Sequence, residues 1–131
     1  MSLKNYLFAC LLAIFTLAAA QNEKAPEIPG TPAGKQIMGY IKAFNSGDPK
    51  ALGEFMDQND IRPERETPSP EKTAELFKIL GKLKVSSIPM SKEHEITVLL
   101  KTEKGMEIVF ACIVQSDPPH KMTYFRFEPE K

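Results

Sequence analysis

The sequence lacks a surplus of charge, a cysteine framework and repeated apolar runs. Its 17 basic and 17 acidic side chains cancel, and only two of its 131 residues are cysteines. Without a basic surplus the chain is a poor candidate for a nucleic-acid binder, because such binding depends on neutralising phosphates. Two cysteines argue against a disulfide-framework miniprotein, and a single long apolar run argues against a multi-pass membrane protein. The length fits one domain.

The one long apolar run lies at the amino terminus. Lys4 precedes an apolar stretch over residues 6–20, and polar residues follow Ala20. This order predicts a signal peptide over residues 1–20 that is cleaved after Ala20. A helix of this run would rise only about 22 Å, short of the roughly 30 Å hydrocarbon core, which favours cleavage over an uncleaved anchor. We therefore expect export to the periplasm or the extracellular space, with no stable membrane insertion after cleavage.

The predicted cleavage separates the two cysteines. Cys10 lies within the signal segment, and most of the apolar run follows it, whereas a lipid-attachment cysteine would close such a run. Cys112 lies in the apolar stretch Val109–Val114 and is expected to be buried in a core. The mature chain then has one thiol and no internal disulfide.

Residues 21–30 are predicted to be a flexible tether, and residues 31–131 the folded domain. Thr31 is a good N-cap and Pro32 suits the first position of a helix. Gly39 weakens this helix intrinsically by about 1 kcal/mol, unless it permits the close approach of another element. The predicted apolar stripe of the helix consists of Ile37, Met38, Tyr40, Ile41 and Phe44.

The string Asn45–Pro49 predicts a tight corner between the first and second helices. Gly47 can take the left-handed conformation that ends a helix. Asp48 can cap the next helix, with the following proline at its first position. After a predicted loop over residues 57–68, Ser69-Pro70 repeats the signal and starts a third helix. Capping accounts for the acidic residue at the corner, so we favour it over a functional acidic site.

The apolar pattern changes to alternation in the second half of the chain. The segment Met106–Gln115 is apolar on both faces and should be covered on both. In the last segment, alternation places Phe125 and Phe127 on one face and Met122 on the other. The predicted strands are Val85–Met90 (an edge strand, since it contains Pro89), Glu95–Lys101, Met106–Gln115 and Lys121–Glu128.

The order of these elements predicts an α+β domain. Three N-terminal helices pack on a curved antiparallel meander of three to four strands. One sheet face buries the helical stripes, and the other face of segment Met106–Gln115 needs separate cover. A second copy could provide it, or the tether could fold back. We therefore expect a homodimer through the sheet face.

The segments Thr31–Lys35, Ala43–Asp48 and Leu52–Phe55 carry a family resemblance. They resemble the small domain found ahead of exported serine hydrolases and peptidases. That domain is similar to the nuclear transport factor 2-like superfamily, a cystatin-like α+β cone of three helices against a curved sheet. The likeness runs from about Thr31 to Pro129 and implies a free-standing version without the hydrolase. It also implies that the protein is located in a bacterial cell envelope. Some members of the superfamily are enzymes that use a carboxylate as a base.

Few residues indicate chemistry. The sequence has no Gly-x-Ser-x-Gly elbow and no glycine-rich phosphate loop. The two histidines, His94 and His120, lie beside predicted turns, and with one buried thiol they do not build an obvious zinc site. A small lysine cluster indicates a solvated helix end: Lys78, Lys82 and Lys84. No catalytic, cofactor-binding or metal-ligating residue is assigned, and no cofactor is expected.

Two functions of different classes follow from these observations. The favoured one is an exported, non-catalytic binding or protein-interaction module of unknown ligand, which takes a small apolar ligand or acts with a separate hydrolase. The alternative is a small cone-fold isomerase or lyase, in which a carboxylate of raised pKa abstracts a proton next to a carbonyl. Its candidate bases are Asp57, Asp60 and Glu95.

Overall fold

A computed structural model describes residues 25–130, so the predicted signal peptide and the first part of the predicted tether lie outside the described residues. Three helices and a four-stranded antiparallel sheet confirm the α+β class. The helices are α1 (Pro32–Asn45), α2 (Ala51–Asn59) and α3 (Pro70–Leu80). The strands are β1 (Leu83–Ser91), β2 (Glu95–Thr102), β3 (Glu107–Val114) and β4 (Met122–Pro129).

Two helices begin at the caps that the sequence predicts. The Thr31 hydroxyl accepts a hydrogen bond from the backbone N–H of Gly34 at 3.0 Å, with Pro32 at the first helical position. Ser69 does the same for α3, accepting from the N–H of Lys72 at 3.2 Å. Each cap satisfies one of the backbone donors that a helix start leaves without a partner.

The corner between α1 and α2 forms as predicted, but α2 starts later than expected. Gly47 has a φ of 77° and turns the chain after α1. Asp48 accepts a hydrogen bond from the N–H of Lys50 at 3.0 Å, so it caps a turn and α2 itself begins at Ala51. At the other end α2 continues to Asn59, into the segment predicted as a loop.

Gly39 permits the close packing of α1 and α2. A Cβ at this position would lie 2.5 Å from Cε2 of Phe55, closer than any real contact. The ring of Phe55 therefore sits directly over the α1 backbone, and the helix gains interhelical packing in exchange for its weaker propensity.

The sheet is a meander with strand order β1-β2-β3-β4, and β1 is an edge strand as predicted. The predicted alternation of the last strand is wrong at Met122. Val114 pairs with Met122 and Ile113 with Tyr124, because a bulge falls between them. The bulge turns Met122 to the same face as Phe125, so Met122 is buried in the core instead of facing away from it.

The core lies between α1 and one face of the sheet, which we call the inner face. α1 contacts β1, β2 and β3, while α2 and α3 pack mainly against α1. From β2 and β3 the inner face contributes Ile96, Val98, Leu100, Ile108, Phe110, Cys112 and Val114, all buried. α1 contributes Ala33, Ile37, Tyr40 and Phe44. Ahead of α1, Ile28 is partly buried against this core.

Side chains and loops occupy the start of both edge strands. The amide of Asn45, the last residue of α1, donates to the carbonyl oxygen of Leu83 at 2.9 Å and accepts from its N–H at 2.8 Å. At the opposite edge, the N–H of Ile61 donates to the carbonyl oxygen of Met122 at 3.1 Å, and Asp60 forms a parallel bridge with Met122. These contacts attach the helical layer to both edges of the sheet.

Replacing Gly39 by alanine tests the close approach of the helices. Alanine normally stabilises a helix interior by about 1 kcal/mol relative to glycine. Here we expect Gly39→Ala to lower the free energy of unfolding by about 1–2 kcal/mol, because its methyl group overlaps Phe55. In a double-mutant cycle measured by urea unfolding, Phe55→Leu should remove most of that penalty. A stabilised Gly39→Ala variant would contradict this packing.

Candidate binding cleft

A cleft of about 210 Å³ opens between α2, the segment after it, the first turns of α3 and β4. Its walls are mostly apolar, and three of its ten lining residues are charged. The lining residues are Tyr40, Leu52, Met56, Arg62, Glu66, Pro68, Lys72, Thr73, Leu76 and Phe125. A concave, apolar site with a few polar groups is the usual form of a small-molecule site.

One wall of the cleft is formed by Tyr40 and Phe125, which belong to a cluster of aromatic rings centred on Tyr40. Its ring centroid lies 4.7 Å from that of Phe110, 5.3 Å from that of Phe125 and 5.4 Å from that of Phe127. Phe55 of α2 meets it edge-on at 6.3 Å. The cluster joins α1, α2, β3 and β4, so the rings behind the wall are packed from four elements.

The hydroxyl group of Tyr40 lacks a hydrogen-bond partner within residues 25–130. The residue is only 4% exposed, and burial raises the pKa of the phenol well above its usual range. Yet every fully buried side-chain oxygen and nitrogen of the described chain has a partner, so the hydroxyl must keep some contact with open space. Since Tyr40 lines the cleft, a molecule bound there is a candidate partner for this hydroxyl.

An ion pair supports the cleft from the side of β4. The carboxylate of Asp60 is 1% exposed and accepts from the Arg62 guanidinium at 2.9 Å (Nε) and 2.8 Å (Nη2), as well as from the Arg62 N–H at 3.1 Å. The same guanidinium lies 5.2 Å from the ring centroid of Phe125. Arg62 is thus held on both sides, by a carboxylate and by an aromatic face.

Each member of this ion pair stabilises the charged form of the other. Burial alone would raise the pKa of the Asp60 carboxyl, but the hydrogen bonds and charge of Arg62 outweigh it and hold that pKa below its usual range. The hydrogen bond with Asp60 in turn raises the pKa of Arg62. Because the pair neutralises itself, Arg62 contributes little net charge to the cleft.

The three predicted carboxylate bases are not brought together, and Asp57, Asp60 and Glu95 are all absent from the lining of this cleft. Asp57 is exposed, and hydrogen bonds from Thr67 and Arg65 lower its pKa. Glu95 lies in β2, opposite Ile113 on the sheet face away from the helices. The shifts at Asp57 and Asp60 run opposite to the raised pKa that the isomerase hypothesis requires.

The two histidines lie side by side, which their separation in the sequence did not indicate. Their ring centroids are 5.7 Å apart, and both are half-buried instead of fully exposed. Nδ1 of His120 is 2.9 Å from the carbonyl oxygen of Gln115, so it carries the proton and donates. Gln36 of α1 donates to the carbonyl oxygen of His120 and to Asn59. Within residues 25–130 no group of three metal-ligating side chains occurs.

Cys112 is buried in the core, as predicted. Its Sγ lies 3.7 Å from the carbonyl oxygen of Ala33, and burial raises the pKa of the thiol to about 12. The predicted solvated lysines Lys78, Lys82 and Lys84 are all exposed. A larger, more open depression of about 390 Å³ lies next to two of them but is bordered largely by charged side chains.

No protein-family model, no curated protein and no solved structure matches the chain. The resemblance to the nuclear transport factor 2-like superfamily therefore stays a prediction. Between residues 25 and 130, no helix is long and apolar enough to cross a membrane.

Removal of the Asp60 carboxylate tests the role of the ion pair. We expect Asp60→Asn to destabilise the fold by about 2–4 kcal/mol at pH 7, because it leaves a partly buried guanidinium without its charge partner. The folded-state pKa of Asp60 is lowered, so the stability it contributes is present above its unfolded pKa of about 3.9 and is lost as the pH falls through the folded value. Urea unfolding between neutral and acidic pH measures both effects.

Asp57→Asn is the matched control, since that carboxylate is exposed and its pKa is also lowered. Its loss of stability should be much smaller, as expected for an exposed pair. If the two variants lost equal stability, or if the acid sensitivity of the Asp60→Asn variant matched that of the unmodified protein, the structural role of the pair would be wrong.

Proposed function

We propose that this chain is an exported, non-catalytic binding module whose cleft takes a small, uncharged, largely apolar molecule with one hydrogen-bonding oxygen. The observation that carries the proposal is that Tyr40, whose hydroxyl has no hydrogen-bond partner among residues 25–130, lines an apolar cleft. A ligand that supplied this partner would satisfy the hydroxyl and cover the surrounding apolar wall at the same time.

The apolar character of the ligand follows from the wall. Leu52, Met56, Leu76 and Phe125 present hydrocarbon or aromatic surface to the cleft. Removing such surface from water contributes roughly 25 cal/mol per Å² to binding, before the cost of immobilising the ligand. The aromatic cluster around Tyr40 is already packed, so the wall is formed before a ligand arrives.

The charges of the lining residues indicate that the ligand is neutral. Arg62 is compensated by Asp60, and the remaining charged lining residues, Glu66 and Lys72, have opposite signs. Neither a carboxylate nor an ammonium group would find a uniform field of the opposite sign. A hydroxyl or carbonyl oxygen is the polar group that fits Tyr40.

The size of the cleft limits the ligand further. Its volume of about 210 Å³ is below the range of about 300–1,000 Å³ that is usual for drug-sized ligands. We therefore propose a ligand of one ring or one short aliphatic chain. The signal-peptide pattern of residues 1–20 supports the exported location, in the periplasm or outside the cell. Action alongside a separately encoded hydrolase remains part of the proposal and rests on the resemblance alone.

A pair of matched probes tests this function. The protein, labelled with ¹⁵N, is titrated with 4-ethylphenol and with ethylbenzene, which share an apolar body and differ by one hydroxyl. We expect both to shift the amide signals of the cleft residues Leu52, Met56 and Leu76. Tyr40→Phe should weaken binding of 4-ethylphenol about 3- to 10-fold, as loss of one neutral hydrogen bond does, and leave ethylbenzene binding unchanged.

Two further variants complete the test. Tyr124→Phe removes the hydroxyl of an exposed tyrosine on the opposite sheet face and should change neither titration. Leu76→Trp, at a half-buried position in the wall, should abolish binding of both probes by filling the cleft. Shifts outside the cleft, or equal effects of Tyr40→Phe on both probes, would contradict the proposed role of the hydroxyl.

A further inference from the structure

The sheet face turned away from the helices, here called the outer face, has an apolar centre. Val109 and Ala111 of β3 are half-buried, and Ile113 is 36% exposed. Their cross-strand partners on the same face include Leu99 of β2 and Tyr124 of β4, which is 45% exposed. Within residues 25–130, no helix packs on these side chains. The prediction that β3 needs cover on both faces is thus met on its inner face alone.

At one end of the outer face, four charged residues follow one another across the strands. Lys84 of β1 pairs in register with Lys101 of β2, and Lys101 pairs with Glu107 of β3. Glu130, just after β4, donates its N–H to the carbonyl oxygen of Glu107 at 2.9 Å. The row therefore reads Lys, Lys, Glu, Glu from one sheet edge to the other, and all four side chains are exposed.

This arrangement puts like charges next to each other at both ends of the row. Directly opposed like charges on a sheet destabilise the pair. Lys84 and Lys101 are directly opposed like charges, and only the central pairing of Lys101 with Glu107 joins opposite charges. At the acidic end, a side-chain hydrogen bond with Glu107 raises the pKa of Glu130, as expected for two carboxyl groups that crowd each other. Within one copy, Lys84 and Glu130 stand at the two ends of the row, each beside a residue of like charge.

We propose that a second copy of this chain packs on the outer face, related by a two-fold axis that runs along the strands between β2 and β3. Rotation about this axis keeps the height of each row along the strands and reverses the order of the strands across the sheet. The row Lys, Lys, Glu, Glu of one copy therefore lies against Glu, Glu, Lys, Lys of the other. Lys84 of one copy meets Glu130 of the other, and Lys101 meets Glu107. Every charge in the row then faces its opposite, and both like-charge pairs are relieved.

The same operation matches the apolar centre. It places Leu99 of one copy over Val109 of the other, and Thr97 over Ala111. The charged residues that flank this centre on the outer face are Glu95, which lies over Ile113, and Arg126 and Glu128 of β4, which pair with each other. Two sheets packed face to face in this way form an aligned sandwich with their layers about 10 Å apart. The interface is isologous, as two-fold contacts between identical chains are. The charge complementarity of the two rows favours this relative orientation of the copies over others.

Charge-swapped variants test the pairing directly. The first variant carries Lys84→Glu and Lys101→Glu, which makes the whole row acidic. The second carries Glu107→Lys and Glu130→Lys, which makes it basic. By sedimentation equilibrium we expect the unmodified protein to dimerise, and each variant alone to dimerise at least about tenfold more weakly, since like charges then face each other. An equimolar mixture of the two variants should form a heterodimer, and added salt should weaken it.

The control for these variants is Ile79→Glu, which adds a charge to an exposed apolar residue of α3 on the helical side and should leave dimerisation unchanged. Urea unfolding of each variant checks that the fold is kept, since all four swapped positions are exposed. A monomer at about 200 µM would overturn the proposal, because an interface of standard size and composition holds far below that concentration. Dimerisation of both variants at the strength of the unmodified protein would overturn it as well, by moving the contact to another surface.

Discussion

The contact of the Tyr40 ring with the phenylalanine rings around it is the constraint on which the rest of the structure depends. One side chain from the middle of α1 meets Phe110 and Phe125 on the sheet and Phe55 on α2. Because rigid rings interlock at fixed distances, this contact sets the position of α1 over the sheet and of α2 over α1 together. Gly39 belongs to the same arrangement, since its missing Cβ is what lets Phe55 reach the cluster. The cleft is the space left beside this cluster, and the same tyrosine lines it.

The second constraint is the attachment of the segment after α2. Asp60 and Ile61 join the edge of β4 through backbone contacts with Met122, and the carboxylate of Asp60 holds Arg62 beside Phe125. A buried ion pair costs desolvation, so it contributes less to net stability than to the choice of one conformation for this segment. The segment borders the cleft, and the ion pair therefore determines the shape of the opening as well as the fold of the loop.

Much of the fold could be predicted because its signals are local. Thr31 and Ser69 act within three residues of themselves, and Gly47 takes a conformation that a neighbouring helix end requires. The period of the apolar residues likewise indicated a meander of three to four strands, and the structure has four. The sheet face on which Met122 lies could not be predicted. A single extra residue at a bulge reverses the alternation and has no distinct sequence pattern. The cleft could not be predicted either: Tyr40 was part of an ordinary apolar stripe, and only its meeting with residues from α2, α3 and β4 gives its hydroxyl a role.

The hydrogen bonds at the sheet edges also limit the ways in which this protein can associate. An open edge strand is a template on which another chain can add a strand. Here the first residue of β1 has both its N–H and its carbonyl group occupied by Asn45, and the first residue of β4 has its carbonyl occupied by Ile61. An incoming strand would have to displace the last residue of α1 at one edge or the segment after α2 at the other. Addition of a strand is therefore hindered at the start of β1 and at the start of β4, where the helical layer already holds the backbone of the edge.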